Sequence, residues 1–276
     1  MFDLHIHTRN SRDSKMTPAD ILDSASRIGL SGIAVTDHAD LGLFDTVEPL
    51  FEVIQGSVRD AREIERMSGG TLRVLRGVEI GGAPYDLEGA RQLLSRADLD
   101  IVLGSIHSVK GNGFDVNNYS ADFSQMAEEE IYLLLQTYLE RVRDLVSLLD
   151  IDVLAHLTYP LRYMNGKYQR GIDIGRFYEQ IDEILQIIIA RGIALEVNTA
   201  SVDTLVCDFI PSADILARYR DLGGRLLTLG SDAHRPGGIG KGIADAKEML
   251  RTLGFHEYHY FEKHRPVAVP LLEEGA

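Results

Sequence analysis

Two histidines one residue apart, His5 and His7, begin a series of histidines and carboxylates that recur at one kind of position in the chain. Residues two apart on a strand share a face, so His5-Ile6-His7 can turn both imidazoles toward one point. A lone pair of this kind is weak evidence for a metal. Further apolar runs end the same way, in Thr36-Asp37-His38, Gly77-Val78-Glu79, Ser105-Ile106-His107, Leu154-Ala155-His156 and Ser231-Asp232-Ala233-His234. Singly, Glu79 or Asp232 reads as a helix cap or rim carboxylate, and His107 or His156 as a hydrogen-bonded core histidine. Together these readings fail, because each unpaired charge gathered in one interior would cost several kcal/mol unless cations compensate it.

Imidazoles mixed with carboxylates suit Zn, Mn or Fe, whereas an all-oxygen set would suit Mg or Ca. His5, His7, His38, His107, His156 and His234 with Glu79 and Asp232 exceed the needs of one ion, so two to three divalent transition-metal ions are expected. Asp13, in the loop after the first run, is a ninth candidate ligand, with a solvated loop acid as the alternative. Asp37 is assigned to orienting a ligand.

The elements that must position these groups alternate. Strands are expected at Phe2 to His7, Gly32 to Thr36, Leu72 to Ile80, Ile101 to Ile106, Val153 to His156, Ala194 to Asn198 and Arg225 to Ser231, with a degenerate eighth run near Tyr258 to Phe261. Thr17 followed by Pro18 starts a helix that Gly29 ends. Longer helices are expected from about Phe123 to Leu149 and from Ile174 to Arg191, where apolar residues recur at three- and four-residue spacings. Regular strand–helix alternation argues an α/β fold with a parallel sheet. Six of the seven strands then deliver His, Asp or Glu at their C-terminal ends, which in a barrel is a single mouth.

Composition bounds the rest. At 276 residues, 45% hydrophobic and 25% charged, with no linker or repeat, one globular domain spanning 1–276 is expected. No apolar stretch reaches the ~20 residues of a membrane span, and Met1-Phe2-Asp3-Leu4-His5 lacks a signal-peptide pattern, so a cytoplasmic location is expected. The single Cys207 cannot form an internal disulfide. A formal charge of −14 disfavours bulk nucleic-acid binding, although metal ions would make a local positive site for a small phosphate.

In order, His5-x-His7-Thr8, Thr36-Asp37-His38, Gly77-Val78-Glu79, Gly104-Ser105-Ile106-His107, Ala155-His156 and Gly230-Ser231-Asp232-x-His234 resemble the motifs of the PHP family, which joins polymerase-associated domains with histidinol-phosphate phosphatase. The stretch from Ala155 to Tyr163 and the run Glu196-Val197-Asn198-Thr199 are similar to the histidinol-phosphatase branch, a phosphatase of histidine biosynthesis. The resemblance implies a distorted (β/α)7 TIM-like barrel with a trinuclear site. It implies His5, His7, Glu79 and Asp232 on a first ion, Glu79, His107 and His156 on a second, and Asp13, His38 and His234 on a third. Asp13 departs from relatives that have His there.

Three carboxylates against three divalent ions leave a net charge of about +3, a field suited to a phosphate dianion. Two ions sharing Glu79 can lower the pKa of water toward ~7 for in-line attack on phosphorus, with no side-chain nucleophile. No Gly-x-Ser-x-Gly elbow or P-loop supports a covalent or nucleotide-binding alternative. Glu79, Asp232 and His234 are thus the candidate catalytic residues. Arg162, six residues past His156, is a candidate phosphate clamp, with a solvated basic loop as the alternative, and Arg235 and Asn198 are further substrate-contact candidates. Tyr159 and Tyr163 could wall a pocket for a flat ring. The histidine-rich tail from His256 to His264 reads as a final strand rather than a metal site.

The expected substrate is a small phosphate monoester, with L-histidinol phosphate implied by the family and nucleotides or oligonucleotide ends as the alternative. An amidohydrolase-type deaminase would want Lys ending the fourth strand and His ending the sixth, where this chain has His107 and Asn198. A non-catalytic metal-binding module is the third class.

Overall fold

In the computed structural model, residues 1–42, 46–202 and 208–272 are described; Cys207 lies outside the described residues. The chain runs β1 (Phe2–Ile6), α1 (Pro18–Ile28), β2 (Gly32–Val35), β3 (His38–Asp40), α2 (Glu48–Ser68), β4 (Arg73–Gly81), α3 (Leu87–Ser95), β5 (Ile101–Ser105), β6 (Ser108–Gly111) and β7 (Phe114–Asn117). It continues with α4 (Glu128–Leu148), β8 (Val153–Leu154), α5 (Tyr178–Arg191), β9 (Ala194–Asn198), α6 (Ala213–Asp221), β10 (Leu227–Gly230), α7 (Ile243–Thr252), β11 (Glu257–Glu262) and β12 (Arg265–Pro270).

The main sheet has the order β1-β2-β4-β5-β8-β9-β10 and is parallel throughout, with β3 extending the β2 position alongside β4. Its strands are buried on both faces and mostly apolar, as strands lined by their own crossover helices must be. A parallel bridge between Ile6 and Ala233, with the His7 amide donating to the Ala233 carbonyl at 3.0 Å, brings the last strand back to the first. The result is a distorted, nearly closed (β/α)7 barrel, the architecture expected from the strand–helix rhythm. None of its helices is long and apolar enough to cross a membrane, among the described residues.

Local rules explain most boundaries. Thr17 caps α1 reciprocally with Asp20, and Gly29 closes it at φ 74°. Three expectations need correction. The helix expected from Phe123 begins at Glu128, because Phe123 is a buried loop residue, whereas Glu128, Glu129 and Glu130 favour the positive end of the helix dipole. The helix expected from Ile174 starts as a 3₁₀ turn at Ile174–Phe177, capped by Asp173, before α5. The degenerate eighth run is no barrel strand: β11 pairs antiparallel with β12 as a separate hairpin.

That hairpin lies across part of the N-terminal mouth. The Tyr260 ring stacks on Phe2 at 4.5 Å, and the Tyr258 hydroxyl accepts from the Phe2 amide at 3.2 Å. The turn residue His264 meets Asp152, just before β8, at 2.9 Å. The hairpin β6–β7, unforeseen in the strand pattern, sits at the opposite mouth; its turn residues Asn112 and Gly113 have φ of 51° and 87°, the Asn-Gly signature of a tight hairpin turn.

Candidate metal centre

Glu79, near the end of β4, is fully buried and lies among five histidines from four other chain segments. Its Oε1 is 2.9 Å from both His107 Nε2 and His156 Nε2. Its Oε2 is 2.6 Å from His38 Nδ1, 3.4 Å from His5 Nε2 and 3.8 Å from His7 Nε2. Asp232 completes the group from the β10 side, 3.2 Å from His7 Nε2 and 3.7 Å from His5 Nε2. His38 Nε2 and His234 Nε2 are 3.2 Å apart, and Asp13 reaches them at 3.6 and 3.4 Å. All nine candidate ligands of the sequence therefore come to one place, the C-terminal mouth.

Whether these residues fit metal ions is decided by what they lack. His5 Nε2, His7 Nε2, His38 Nδ1 and Glu79 Oε2 are buried and face one another at short range without well-directed hydrogen bonds. A buried polar atom left so costs about 1–3 kcal/mol, and four converging on one space are a donor set for cations. Four trios of ligand atoms lie close enough to share an ion: His5/His7/Asp232, His5/Glu79/His156, His38/Glu79/His107 and His7/His38/His234. The residues fit.

The electrostatics agree. Burial pushes the Glu79 carboxyl up, but His107, His38 and His5 outweigh it and hold the group well below the ordinary carboxylate range. Burial opposes the charge on His5 and His107, yet Glu196 and Glu79 around the first, and Glu79 and Asp40 around the second, raise both well above 6.5. His7 is driven well below that value by burial and by the neighbouring His38 and His234. The cluster thus concentrates carboxylate charge, on Glu79 and Asp232, that cations must balance, whether protonated histidines or bound ions.

Groups behind the ligands set their orientation. Glu196 Oε1 holds His5 Nδ1 at 2.7 Å, and Asp40 Oδ1 holds His107 Nδ1 at 2.8 Å, leaving each Nε2 to face Glu79. Ser11 Oγ lies 3.2 Å from His7 Nδ1 and donates to Asp37 at 2.7 Å. Asp37 also accepts from Thr8. It therefore acts on a ligand at one remove, through Ser11. Two glycines make room: a Cβ at Gly81 would strike Asp40, and one at Gly230 would strike both Glu196 and His5. His156 and Asp232 sit at φ 26° and 53°, conformations that cost non-glycine residues about 1–3 kcal/mol and recur at functional sites.

Asp40 and Glu196 were not among the sequence candidates. Each left a signal: an acid two residues beyond His38, and an acid inside the otherwise apolar strand Ala194-Leu195-Glu196-Val197.

Five of the candidate ligands, Asp13, His38, His107, Asp232 and His234, line a cleft of about 1170 Å³. Arg162, Arg235, Tyr159 and Tyr163 line it. Arg162 is partly buried, its Nη1 3.2 Å from Asp232 Oδ2, which is not the setting of a solvated loop cation. The Tyr159 and Tyr163 hydroxyls are 2.9 Å apart. Asn198 does not line the cleft: it is buried behind the ligands, donating to Glu196 Oε2 at 3.2 Å and accepting from the Ala200 amide at 3.0 Å, so its part is to hold Glu196 rather than to meet substrate. In the histidine-rich tail, His259 is buried and His264 pairs with Asp152, and neither joins a metal-binding trio among the described residues.

Comparison with known proteins follows the same line. The PHP domain model matches residues 3–200. The chain is 33% identical to the probable histidinol-phosphatase of Clostridium acetobutylicum, covering 95% of this chain and 97% of that protein. It is 28% identical to the Thermotoga maritima protein of the same name, covering 98% and 100%. Its fold matches the crystal structure of histidinol phosphate phosphatase from Lactococcus lactis, solved with zinc, L-histidinol and phosphate, at a TM-score of 0.80 and 25% identity, covering 96% of this chain and 98% of that one.

Proposed function

The chain belongs to the PHP-domain family, and from that premise we propose that it is a metal-dependent phosphoric monoester hydrolase that converts L-histidinol phosphate and water to L-histidinol and phosphate. The observation that carries the reading is Glu79, one buried carboxylate with a different set of imidazoles on each oxygen, two of which, His38 and His107, line a cleft that also holds Arg162. Likeness over nearly the whole chain to proteins named histidinol-phosphatase supports the substrate.

Two to three divalent ions, zinc, manganese or iron, are proposed. His5, His7, Glu79 and Asp232 would hold one, Glu79, His107 and His156 a second, and Asp13, His38 and His234 a third. When bound, such ions neutralise phosphoryl oxygens and lower the pKa of water, which is the chemistry a phosphate dianion requires. Arg162 supplies a fixed cation at the cleft wall, exchanging Asp232 for a phosphoryl oxygen as substrate enters. Burial, with Tyr163 close by, holds the Tyr159 hydroxyl well above its ordinary range, so it stays protonated, its hydrogen bond shared with the Tyr163 hydroxyl at 2.9 Å. Solvent is the proposed nucleophile, since ions of this kind lower the pKa of bound water. Residues 1–276 are read as one domain, a reading supported by β10, which lies in the same sheet as β1 to β5, β8 and β9 and is soon followed by Asp232 and His234.

The test is phosphate release by zinc-reconstituted protein from L-histidinol phosphate, set against nucleoside monophosphates and sugar phosphates. A higher kcat/KM for any of the latter would displace L-histidinol phosphate as substrate. Elemental analysis of chelator-free preparations should return at least two ions per chain.

A further inference from the structure

Strand β9 is the one member of the seven-stranded ring with no proposed metal ligand at its end. Its inward residue is nevertheless an acid. Glu196 is fully buried in a strand of alanine, leucine and valine, where an unpaired carboxylate would be costly. Every oxygen is used: Oε1 lies 2.7 Å from His5 Nδ1, while Oε2 accepts from the His156 backbone amide at 2.8 Å and from Asn198 Nδ2 at 3.2 Å. Glu196 therefore grips two proposed ligands in two ways. It fixes the ring of His5, so that Nε2 and not Nδ1 faces Glu79 and Asp232. It also holds the peptide of His156, a non-glycine residue at φ 26°, from which the imidazole reaches Glu79 Oε1 at 2.9 Å.

These two histidines sit against opposite oxygens of Glu79. We propose that Glu196 is a positioning residue that sets the affinity of both ions proposed to share Glu79, holding one histidine of each from behind. β9 thereby contributes to the centre without ligating it. Gly230 belongs to the same device, since any side chain there would enter the space between Glu196 and His5. The inference rests on the metal-dependent reading above but not on the identity of the substrate.

A carboxylate behind a ligand imidazole raises the basicity of the ligand and fixes its ring, and losing such a partner typically costs about 10–100-fold in metal affinity. Glu196→Gln preserves shape and can still accept from the His156 amide, but lacks the charge behind His5. Glu196→Ala removes both holds. Zinc affinity should be measured by competition with a chelator, on wild type and both variants, with the melting temperature of the metal-free proteins recorded alongside. The expected result is zinc binding weakened about tenfold in Glu196→Gln and about a hundredfold in Glu196→Ala, with the metal-free Glu196→Gln melting as wild type does. Glu196→Asp should recover part of the affinity lost in Glu196→Ala. Wild-type zinc affinity in Glu196→Gln, with or without a drop in melting temperature, would overturn the inference and leave Glu196 a brace of the strand. Zinc binding by wild type without hydrolysis of L-histidinol phosphate would instead defeat the proposed activity and leave this role of Glu196 standing.

Discussion

The two mouths of the barrel are built from the same kinds of residue and do opposite things with them. At the N-terminal mouth charged groups are matched: Arg76 chelates Asp100, Asp152 accepts from the Val102 amide and meets His264, and the β11–β12 hairpin lies across them. At the C-terminal mouth three buried imidazole nitrogens, on His5, His7 and His38, and Glu79 Oε2 converge on one space without well-directed hydrogen bonds. Satisfied polar groups stabilise, whereas unsatisfied ones held in place by groups behind them are poised to bind. A barrel can afford the second arrangement because the first secures its other end.

That contrast breaks most directly at Glu79. Glu79→Gln keeps the shape of the carboxylate but removes the charge that lets one group face two cations, and turnover should fall by about two orders of magnitude or more with metal content reduced. Undiminished turnover would mean that Glu79 is a core residue of the ordinary kind. Removing the ions should act on the same mouth. Protein stripped with chelator should melt lower, and zinc returned at about a hundred times its Kd should restore about 2.7 kcal/mol. A melting temperature indifferent to zinc would show that the converging nitrogens do not bind it.

At the cleft wall the expected effect is smaller. Arg162→Ala should raise KM for phosphate monoesters about tenfold, equivalent to ~1.4 kcal/mol, while bound metal stays constant. Steady-state kinetics with metal analysis of the same samples checks it. An unchanged KM would make Arg162 only the partner of Asp232.

How far the sequence discloses each mouth follows from physics. The convergence of the candidate ligands was legible because strand-end positions recur with the strand period, and His, Asp and Glu repeated there have no common structural explanation. The barrel was legible from alternation. What escaped acts through space rather than along the chain: Asp40 and Glu196 matter because Gly81 and Gly230 admit them to His107 and His5, and no spacing rule links residues 191 apart such as His5 and Glu196. Asn198, a plausible substrate contact by its place at a strand end, is turned inward by that same Glu196. The β11–β12 hairpin read as a barrel strand because its alternation of apolar and polar residues fits either role.

The smallest effect is expected at the N-terminal mouth, and it sharpens the comparison. Burial raises the Asp152 carboxyl above 3.8, against the lowering effects of His264 and the Val102 amide. A carboxyl with a raised folded-state pKa binds its proton more tightly folded than unfolded, so its contribution to stability is full below the unfolded pKa and is lost as pH rises through the folded value. Asp152→Asn cannot titrate and still accepts from Val102, so the stability of wild type relative to this variant should decline from about pH 4 upward and then level off. Taking the difference between the two proteins cancels the titrations of the metal centre, which both share. At neutral pH the variant should lie within about 1 kcal/mol of wild type, the scale of one exchanged hydrogen bond. Urea melts across a pH series measure this, and kcat and metal content should be those of wild type. A flat difference curve would remove the buried-carboxyl account of Asp152. A change in kcat would show that the two mouths are mechanically coupled through β8, whose two residues are all that separate Asp152 from the turn that carries His156.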